Sequence, residues 1–356
     1  MPRLLIDKEK CLRNIEKMVR KAALHHLSLR PHFKTHQSAE IGSWFMDFGV
    51  KAITVSSFEM ARYFAEAGWT DILVAFPFHP GEMDALIRLS DQCLLSILVD
   101  SPAVLPFLNH IPYPVRFYVD VDTGYGRTGI RADQTDLIEQ VIVKAGANPR
   151  LEFAGFYCHA GHSYKAADPA ERKAIHRKAI GDLEDLKDRF GSYGPRILYG
   201  DTPNCSVQED FGRTDEITPG NFVFYDLIQL ALGACSMEEI AVAMECPVAG
   251  RYPSKGRILV HGGAIHFSKD TLMKGGSAIF GQLVAQTENG WEPADAARYL
   301  SNLTQEHGIL ECGTDLINRT GIGENLLFLP VHSCLTANLM RTYHTLEGQV
   351  VTTMNS

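Results

Sequence analysis

The sequence lacks long apolar runs: none reaches the roughly 18–20 residues that a helix needs to span a bilayer. It lacks an apolar signal core, because the opening MPRLLIDKEKCLRNIEKMVRK carries charge throughout. It lacks an excess of positive charge. The 34 Lys and Arg stand against 42 Asp and Glu, a net charge of −8. That argues against the basic surface that nucleic acids and anionic membranes select. It lacks any C-x-x-C pair. Its eight cysteines (Cys11, Cys93, Cys158, Cys205, Cys235, Cys246, Cys312 and Cys334) are scattered, which argues against a disulfide framework in a chain this long. The G-x-S-x-G elbow of hydrolases and the H-E-x-x-H zinc motif are absent, as are low-complexity tracts and solenoid-period repeats. What is present has a globular balance, 45% apolar and 21% charged. The 356 residues accommodate two domains, or one large barrel with an added module. The expected setting is the cytoplasm, with no nucleic-acid or membrane partner.

The first two thirds alternate short β-branched runs with segments of helical period. Strands are expected at Ser28–Lys34, Ala52–Ser56, Ile72–Phe76, Leu95–Val99, Val115–Val121, Phe153–Cys158 and Ile197–Tyr199. Helices are expected at Phe58–Ala67, Gly81–Leu89, Gln134–Ala145 and Pro169–Phe190. Strands that are apolar nearly throughout suit a parallel sheet covered on both faces. Six or seven such units favour a closed (β/α)8, TIM-like barrel over an open doubly wound sheet. From about Ile240 strand-like runs follow one another, among them RILVHGGAIHFS and LLFLPVHSCLTANL, with only a short helix expected over Pro293–Tyr299. This reads as a C-terminal antiparallel β domain. The expected division is 1–238 and 239–356, with Arg3–Asp7 open to either part.

Five segments carry candidate chemistry. Gly124-Tyr125-Gly126-Arg127-Thr128-Gly129 matches the dinucleotide fingerprint G-x-G-x-x-G. Yet other strands precede it, and the next strand ends in His159 rather than in an acid, so a glycine-rich barrel loop is the better reading. Arg30-Pro31-His32-Phe33-Lys34-Thr35-His36 places a lysine at the end of the first barrel strand, the face where barrels put chemistry. A lysine amine there can bond a carbonyl. Cys158-His159-Ala160-Gly161-His162-Ser163-Tyr164 closes another strand with a polar cluster. Gly200-Asp201-Thr202-Pro203-Asn204 and Pro219-Gly220-Asn221 are late turns of the kind that bind phosphate through backbone N–H groups. His332-Ser333-Cys334, read as a strand, projects an imidazole and a thiol from one face, a pair that suits zinc.

Together these motifs resemble the pyridoxal-phosphate enzymes of the alanine racemase fold, and within them the D-serine dehydratase and D-threonine aldolase group. The resemblance spans nearly the whole chain. It makes Lys34 in RPHFKTH the lysine that carries the cofactor. It sets Arg127 of VDTGYGRTG near the cofactor ring oxygen. It puts His159 and Tyr164 of FYCHAGHSY beside the cofactor, and Thr202, Gly220 and Asn221 near its phosphate. It also brings Glu306 and His307 of TQEHG to the site. His332 and Cys334 fall where the group keeps its metal, and His-x-Cys implies zinc and the dehydratase branch, with another divalent cation as the alternative. Lys34, Tyr164, His332 and Cys334 are then the catalytic set.

The implied reaction is β-elimination from a β-hydroxy D-amino acid, giving a 2-oxo acid and ammonia. Retro-aldol cleavage to glycine and an aldehyde is the alternative. Racemisation, or cofactor binding without catalysis, ranks below both. The resemblance implies a homodimer. Two residues depart from the group's pattern. Asp201 beside a phosphate is repulsive unless it points away, and His162 stands where a less basic residue is expected.

Overall fold

The computed structural model describes residues 1–294 and 297–356. The chain forms two compact units, one of residues 17–34 and 42–220, the other of residues 1–16, 35–41 and 221–356. The expected boundary at 238/239 therefore lies inside the second unit. The first strand, Arg3–Ile6, pairs in that unit with Val242–Tyr252 and Thr342–Thr345.

The first unit is a barrel. Eight parallel strands follow one another around it in chain order: Ser28–Leu29, Ile53–Val55, Asp71–Pro77, Leu94–Val99, Val115–Asp122, Leu151–His159, Arg196–Gly200 and Glu216–Ile217. The last pairs with the first, and a parallel bridge between His32 and Thr54 joins the first to the second. Leu73, Leu98, Tyr118, Tyr157 and Leu198 form a buried cluster drawn from five of these strands. Near-continuous burial along Leu94–Val99 and Val115–Asp122 agrees with a sheet covered on both faces. The intervening helices start where side chains replace missing backbone partners. Ser57 accepts from Met60 N–H ahead of Phe58–Glu66, and Asp168 accepts from Glu171 N–H ahead of Pro169–Arg189.

One end of the barrel is held by buried charge. Asp71, Arg196 and Glu216, the first residues of their strands, surround Arg30. Arg30 Nε lies 2.5 Å from Glu216 Oε2, and Arg30 Nη1 lies 2.7 Å from Asp71 Oδ1. Arg196 Nη2 lies 2.8 Å from Glu216 Oε1. The Arg30 and Glu216 side chains are each 3% exposed. Burial works against the Arg30 charge, but Glu216 and Asp71 outweigh it and hold the guanidinium protonated.

The second unit is built on a ten-stranded sheet. Its order is Arg257–His261, His307–Glu311, Tyr299–Leu303, Gly281–Thr287, Asn325–Pro330, Val242–Tyr252, Arg3–Ile6, Thr342–Thr345 and Val350–Thr352, with Gly290–Pro293 against Gly281–Thr287. The pairings are antiparallel except that of Arg3–Ile6 with Thr342–Thr345. The helix expected over Pro293–Tyr299 includes residues outside the described set. The run LLFLPVHSCLTANL, expected as strand, is divided. Asn325–Pro330 is strand, and Ser333–Met340 is helix with His332 at its N-cap. Pro330 has no N–H for the ladder and ends the strand. Among the described residues no helix is long and apolar enough to cross a membrane.

Candidate active site

In the barrel unit the site begins with Phe33. Its ring is fully buried against Phe45, Phe64 and Trp69, at centroid distances of 5.0, 4.9 and 5.1 Å. Its N–H donates to Thr54 O at 2.9 Å. Phe33 and Lys34 lie in the turn that follows the His32 bridge, and Lys34 N–H donates to His32 Nδ1 at 3.3 Å. His32 and Lys34 line a cavity of about 370 Å³ together with Asp120, Arg127, Thr128, Tyr157 and His159.

Arg127 is presented by the glycine-rich loop. Asp122 Oδ1 accepts from Gly124 N–H and Gly126 N–H at 2.9 and 3.0 Å, which folds the loop on itself. Gly129 has φ of +98°, and a Cβ there would lie 2.9 Å from Asp122 N. The glycines therefore serve a tight arginine-bearing turn, as the barrel-loop reading expects. The Arg127 guanidinium lies 5.2 Å from the Tyr125 ring centroid.

His159 is fixed in one tautomer. Its Nδ1 lies 2.7 Å from Gly200 O, and a carbonyl only accepts, so Nδ1 carries the proton. Burial, then the charges of Lys34 and Arg127, push its pKa down to about 3, so the ring is neutral. Asp120 is pushed up to about 6 by burial, against a hydrogen bond from Thr128 and the charge of Arg127. Its Oδ2 is buried with no hydrogen-bond partner among the described residues.

Tyr164, Thr202 and Gly220 come together at one turn. Thr202 N–H donates to Tyr164 Oη at 3.4 Å, and Gly220 N–H donates to Thr202 Oγ1 at 3.3 Å. Asp201 points away from them. It caps the short helix Thr202–Val207, accepting from Asn204 N–H at 2.7 Å and from Tyr199 Oη at 2.9 Å. His162 stacks on Tyr125 at 6.1 Å between centroids.

In the β unit His332 and Cys334 share a helix start rather than a strand face. His332 Nδ1 lies 2.5 Å from Asp270 Oδ2. Cys334 Sγ lies 3.3 Å from Thr35 Oγ1 and 3.3 Å from Asn221 Nδ2. Asn221, expected near the phosphate, thus places its amide on Cys334, and also on Asp226 Oδ2 at 2.7 Å and Ser333 Oγ at 3.0 Å. Burial alone would lower the His332 pKa, but Cys334, Asp226 and Asp270 raise it to about 10. Burial would raise the Cys334 thiol, yet His332 and Thr35 bring it below its ordinary value. Each side chain thus favours the charged form of the other, and the pair offers one sulfur and one ring nitrogen to a soft divalent ion.

Glu306 and His307 lie at another cluster. His261, His266 and Glu306 bring one donor atom each within 4.8 Å of one another, and His307 Nδ1 lies 3.2 Å from Thr304 Oγ1. His266 Nδ1 accepts from Gly263 N–H at 3.1 Å, so its proton sits on Nε2 and neither nitrogen is offered to a metal. Sequence reading missed Asp270 and Thr35. Thr35 was signalled only by following Lys34, and Asp270 lies 62 positions from its partner, with no local motif.

The side chains fit the implied groups. An amine, a guanidinium and an unpartnered buried carboxylate oxygen line a cavity of small-molecule size, and a thiolate with an imidazole is a zinc donor pair. A parallel barrel with a lysine at the end of its first strand, joined to a predominantly antiparallel sheet, defines an alanine racemase-like fold. The chain belongs to the alanine racemase N-terminal domain family, whose model matches residues 6–224, and residues 241–346 match the putative serine dehydratase domain.

The D-threo-3-hydroxyaspartate dehydratase of Delftia sp. (strain HT23) is 28% identical over 99% of this chain and 96% of its own length. Its solved structure superposes with a TM-score of 0.91 at 26% identity, covering 100% of this chain and 98% of that one. A mutant of that enzyme with a cysteine replaced by alanine has been solved in a metal-free form. The D-serine dehydratase of Dictyostelium discoideum is 27% identical over 94% of this chain and 90% of its own. The D-threonine aldolase of Arthrobacter sp. is 25% identical over 63% of this chain and 61% of its own.

Proposed function

We propose that this protein is a pyridoxal-phosphate- and zinc-dependent lyase that eliminates the β-hydroxyl of a D-amino acid, releasing a 2-oxo acid and ammonia. The observation that carries this reading is Cys334, which shares a helix start with His332 and has its Sγ 3.3 Å from both Thr35 Oγ1 and Asn221 Nδ2. A thiolate selects zinc, whereas a carboxylate at that position would suit manganese or magnesium. The matches to dehydratases over nearly the whole chain support the same branch.

Bound pyridoxal phosphate supplies an electron sink for the Cα carbanion, and a zinc ion supplies Lewis acidity at the leaving hydroxyl. Lys34 Nζ would carry the cofactor and would be the base for the Cα proton. A base acting from one face would select one enantiomer. Arg127, which lines the same cavity as Lys34, would bind the cofactor beside it. His159 would offer the cofactor ring an uncharged neighbour, its orientation fixed by Gly200 O. Tyr164, Thr202 and Gly220, which meet at one turn, would hold the phosphate, and Asp201, turned into its own helix, would not oppose it. His332 Nε2 and Cys334 Sγ would hold the zinc. Asn221 donates a hydrogen bond to the sulfur and Thr35 Oγ1 lies within hydrogen-bond distance of it, contacts that would favour its thiolate form. The same reading carries a homodimer in the cytoplasm acting on a small D-amino acid.

Product analysis tests it. Incubation with D-serine, D-threonine and D-threo-3-hydroxyaspartate should yield the corresponding 2-oxo acid with an equivalent of ammonia. Glycine with an aldehyde would move the protein to the aldolase branch, and the L-enantiomer would make it a racemase. Cys334→Ala should lose bound zinc and turnover while retaining the cofactor absorbance. Full turnover after exhaustive chelation would remove zinc from the mechanism.

A further inference from the structure

An imidazole can serve a metal through only one nitrogen while the other carries a proton, and a side chain at a helix start has rotational freedom to lose. Asp270 removes both freedoms from His332. Its Oδ2 lies 2.5 Å from His332 Nδ1, and a carboxylate there accepts, so Nδ1 carries a proton and Nε2 is the nitrogen left for a metal. His266, four residues before Asp270, has the opposite arrangement, with Nδ1 accepting from a backbone N–H.

The carboxylate is itself held. It follows the short helix Ala264–Phe267. After that helix Ser268 takes φ of +72°, a conformation that side-chain-bearing residues keep only where their surroundings enforce it. Asp270 N–H donates to Ser268 Oγ at 3.1 Å. Thr336, fully buried on the helix that carries Cys334, donates to Phe267 O at 3.1 Å and ties this turn to that helix. The turn bearing Asp270 and the helix bearing the metal ligands are therefore one framed piece.

We infer that Asp270 is the positioning residue of the metal centre, fixing the tautomer and orientation of His332 and raising the basicity of its Nε2 toward a divalent cation. The inference rests on the zinc reading above and adds to it the residue that sets the affinity of the site. A carboxylate behind a ligating histidine has this effect in metal sites generally.

The test uses the full-length, cofactor-loaded protein, stripped of metal and titrated with Zn²⁺ against a chromophoric chelator, and separately with Co²⁺ followed by its absorption. Asp270→Ala should weaken Zn²⁺ binding by about 10–100-fold. Asp270→Asn, whose amide oxygen can still accept from Nδ1–H, should fall between that variant and the unmodified protein. Both should keep the thiolate-to-cobalt absorption band, which Cys334→Ala should lose. Both should keep the melting temperature of the metal-free protein and the cofactor absorbance, because the Asp270 side chain is 39% exposed and exposed ion pairs add little stability. Zn²⁺ affinity in Asp270→Ala within about twofold of the unmodified protein, where removal of such a carboxylate should cost at least tenfold, would overturn the inference and leave the zinc reading intact. A Co²⁺ spectrum that changes coordination number in Asp270→Ala would also overturn it, since Asp270 would then be a ligand. Failure of the unmodified protein to bind Zn²⁺ would overturn both.

Discussion

The two ends of the barrel handle charge in opposite ways. At the end where Asp71, Arg196 and Glu216 begin their strands, every charge around Arg30 is matched at 2.5–2.8 Å. At the end that carries Lys34, Asp120 Oδ2 is buried with no hydrogen-bond partner among the described residues and His159 is held neutral. Satisfied charge at one end is an arrangement for stability. Unsatisfied polar groups around a cavity at the other are an arrangement for a ligand. The difference marks the Lys34 end as the candidate site without any motif, because burying a carboxylate oxygen with no hydrogen-bond partner among the described residues costs free energy that a purely structural site would have no reason to keep.

Substitutions at the two ends should separate activity from stability. The largest effect belongs to Lys34→Ala. Turnover and the absorbance of bound cofactor should vanish, while the unfolding free energy of the cofactor-free protein stays within about 0.5 kcal/mol, as for exposed positions generally. A large loss of stability in that variant would break the comparison. Next is Glu216→Ala, which strips a buried guanidinium of a partner. Urea unfolding should show a loss of about 3–5 kcal/mol, with the folded fraction still binding cofactor.

Asp120→Asn should have the opposite sign. The folded-state pKa of Asp120, about 6, lies above the ordinary 3.8. The folded protein therefore binds more protons than the unfolded chain between those values, and stability falls as pH rises through them. The asparagine should stabilise the cofactor-free protein at pH 7 by on the order of 2–3 kcal/mol, and the gain should disappear below about pH 4. Equal melting temperatures at pH 7 would mean that Asp120 is solvated. The smallest effect belongs to the exposed pair Arg62–Glu66 on the helix Phe58–Glu66, whose double-mutant cycle should read about 0.3–0.5 kcal/mol.

The barrel was legible because its strands are apolar nearly throughout and its helices carry their own start signals. Phe58–Ala67 and Pro169–Phe190 were placed to within a residue of the observed ends. The strand Glu216–Ile217 holds two residues, too few for period-two alternation to register, and the strand expected over Ser28–Lys34 spans only Ser28–Leu29. The helix Ser333–Met340 was read as strand because its apolar residues follow directly on those of Asn325–Pro330, and only Pro330 marks the change. The sequence pointed to Lys34, Arg127, His159, Tyr164, Thr202 and Gly220, and the structure gathers all of them in the barrel unit. It also pointed to His332 and Cys334, but strand alternation was the wrong reason for their proximity. Asp270 was illegible because a hydrogen bond across 62 positions leaves no local trace.

The cluster around Arg30 has a consequence for how the barrel assembles. Arg30 and Glu216 are 186 positions apart, and Glu216 sits on the strand that closes the barrel against Ser28–Leu29. Bringing such distant segments together is the slow part of building a parallel barrel. A sheet zipped one residue out of step would turn Glu216 to the other face and leave the buried guanidinium with Asp71 alone as its carboxylate partner. Hydrophobic strands alone tolerate such slippage, because one valine resembles another. The ion cluster does not, and so it proofreads the register of the seam.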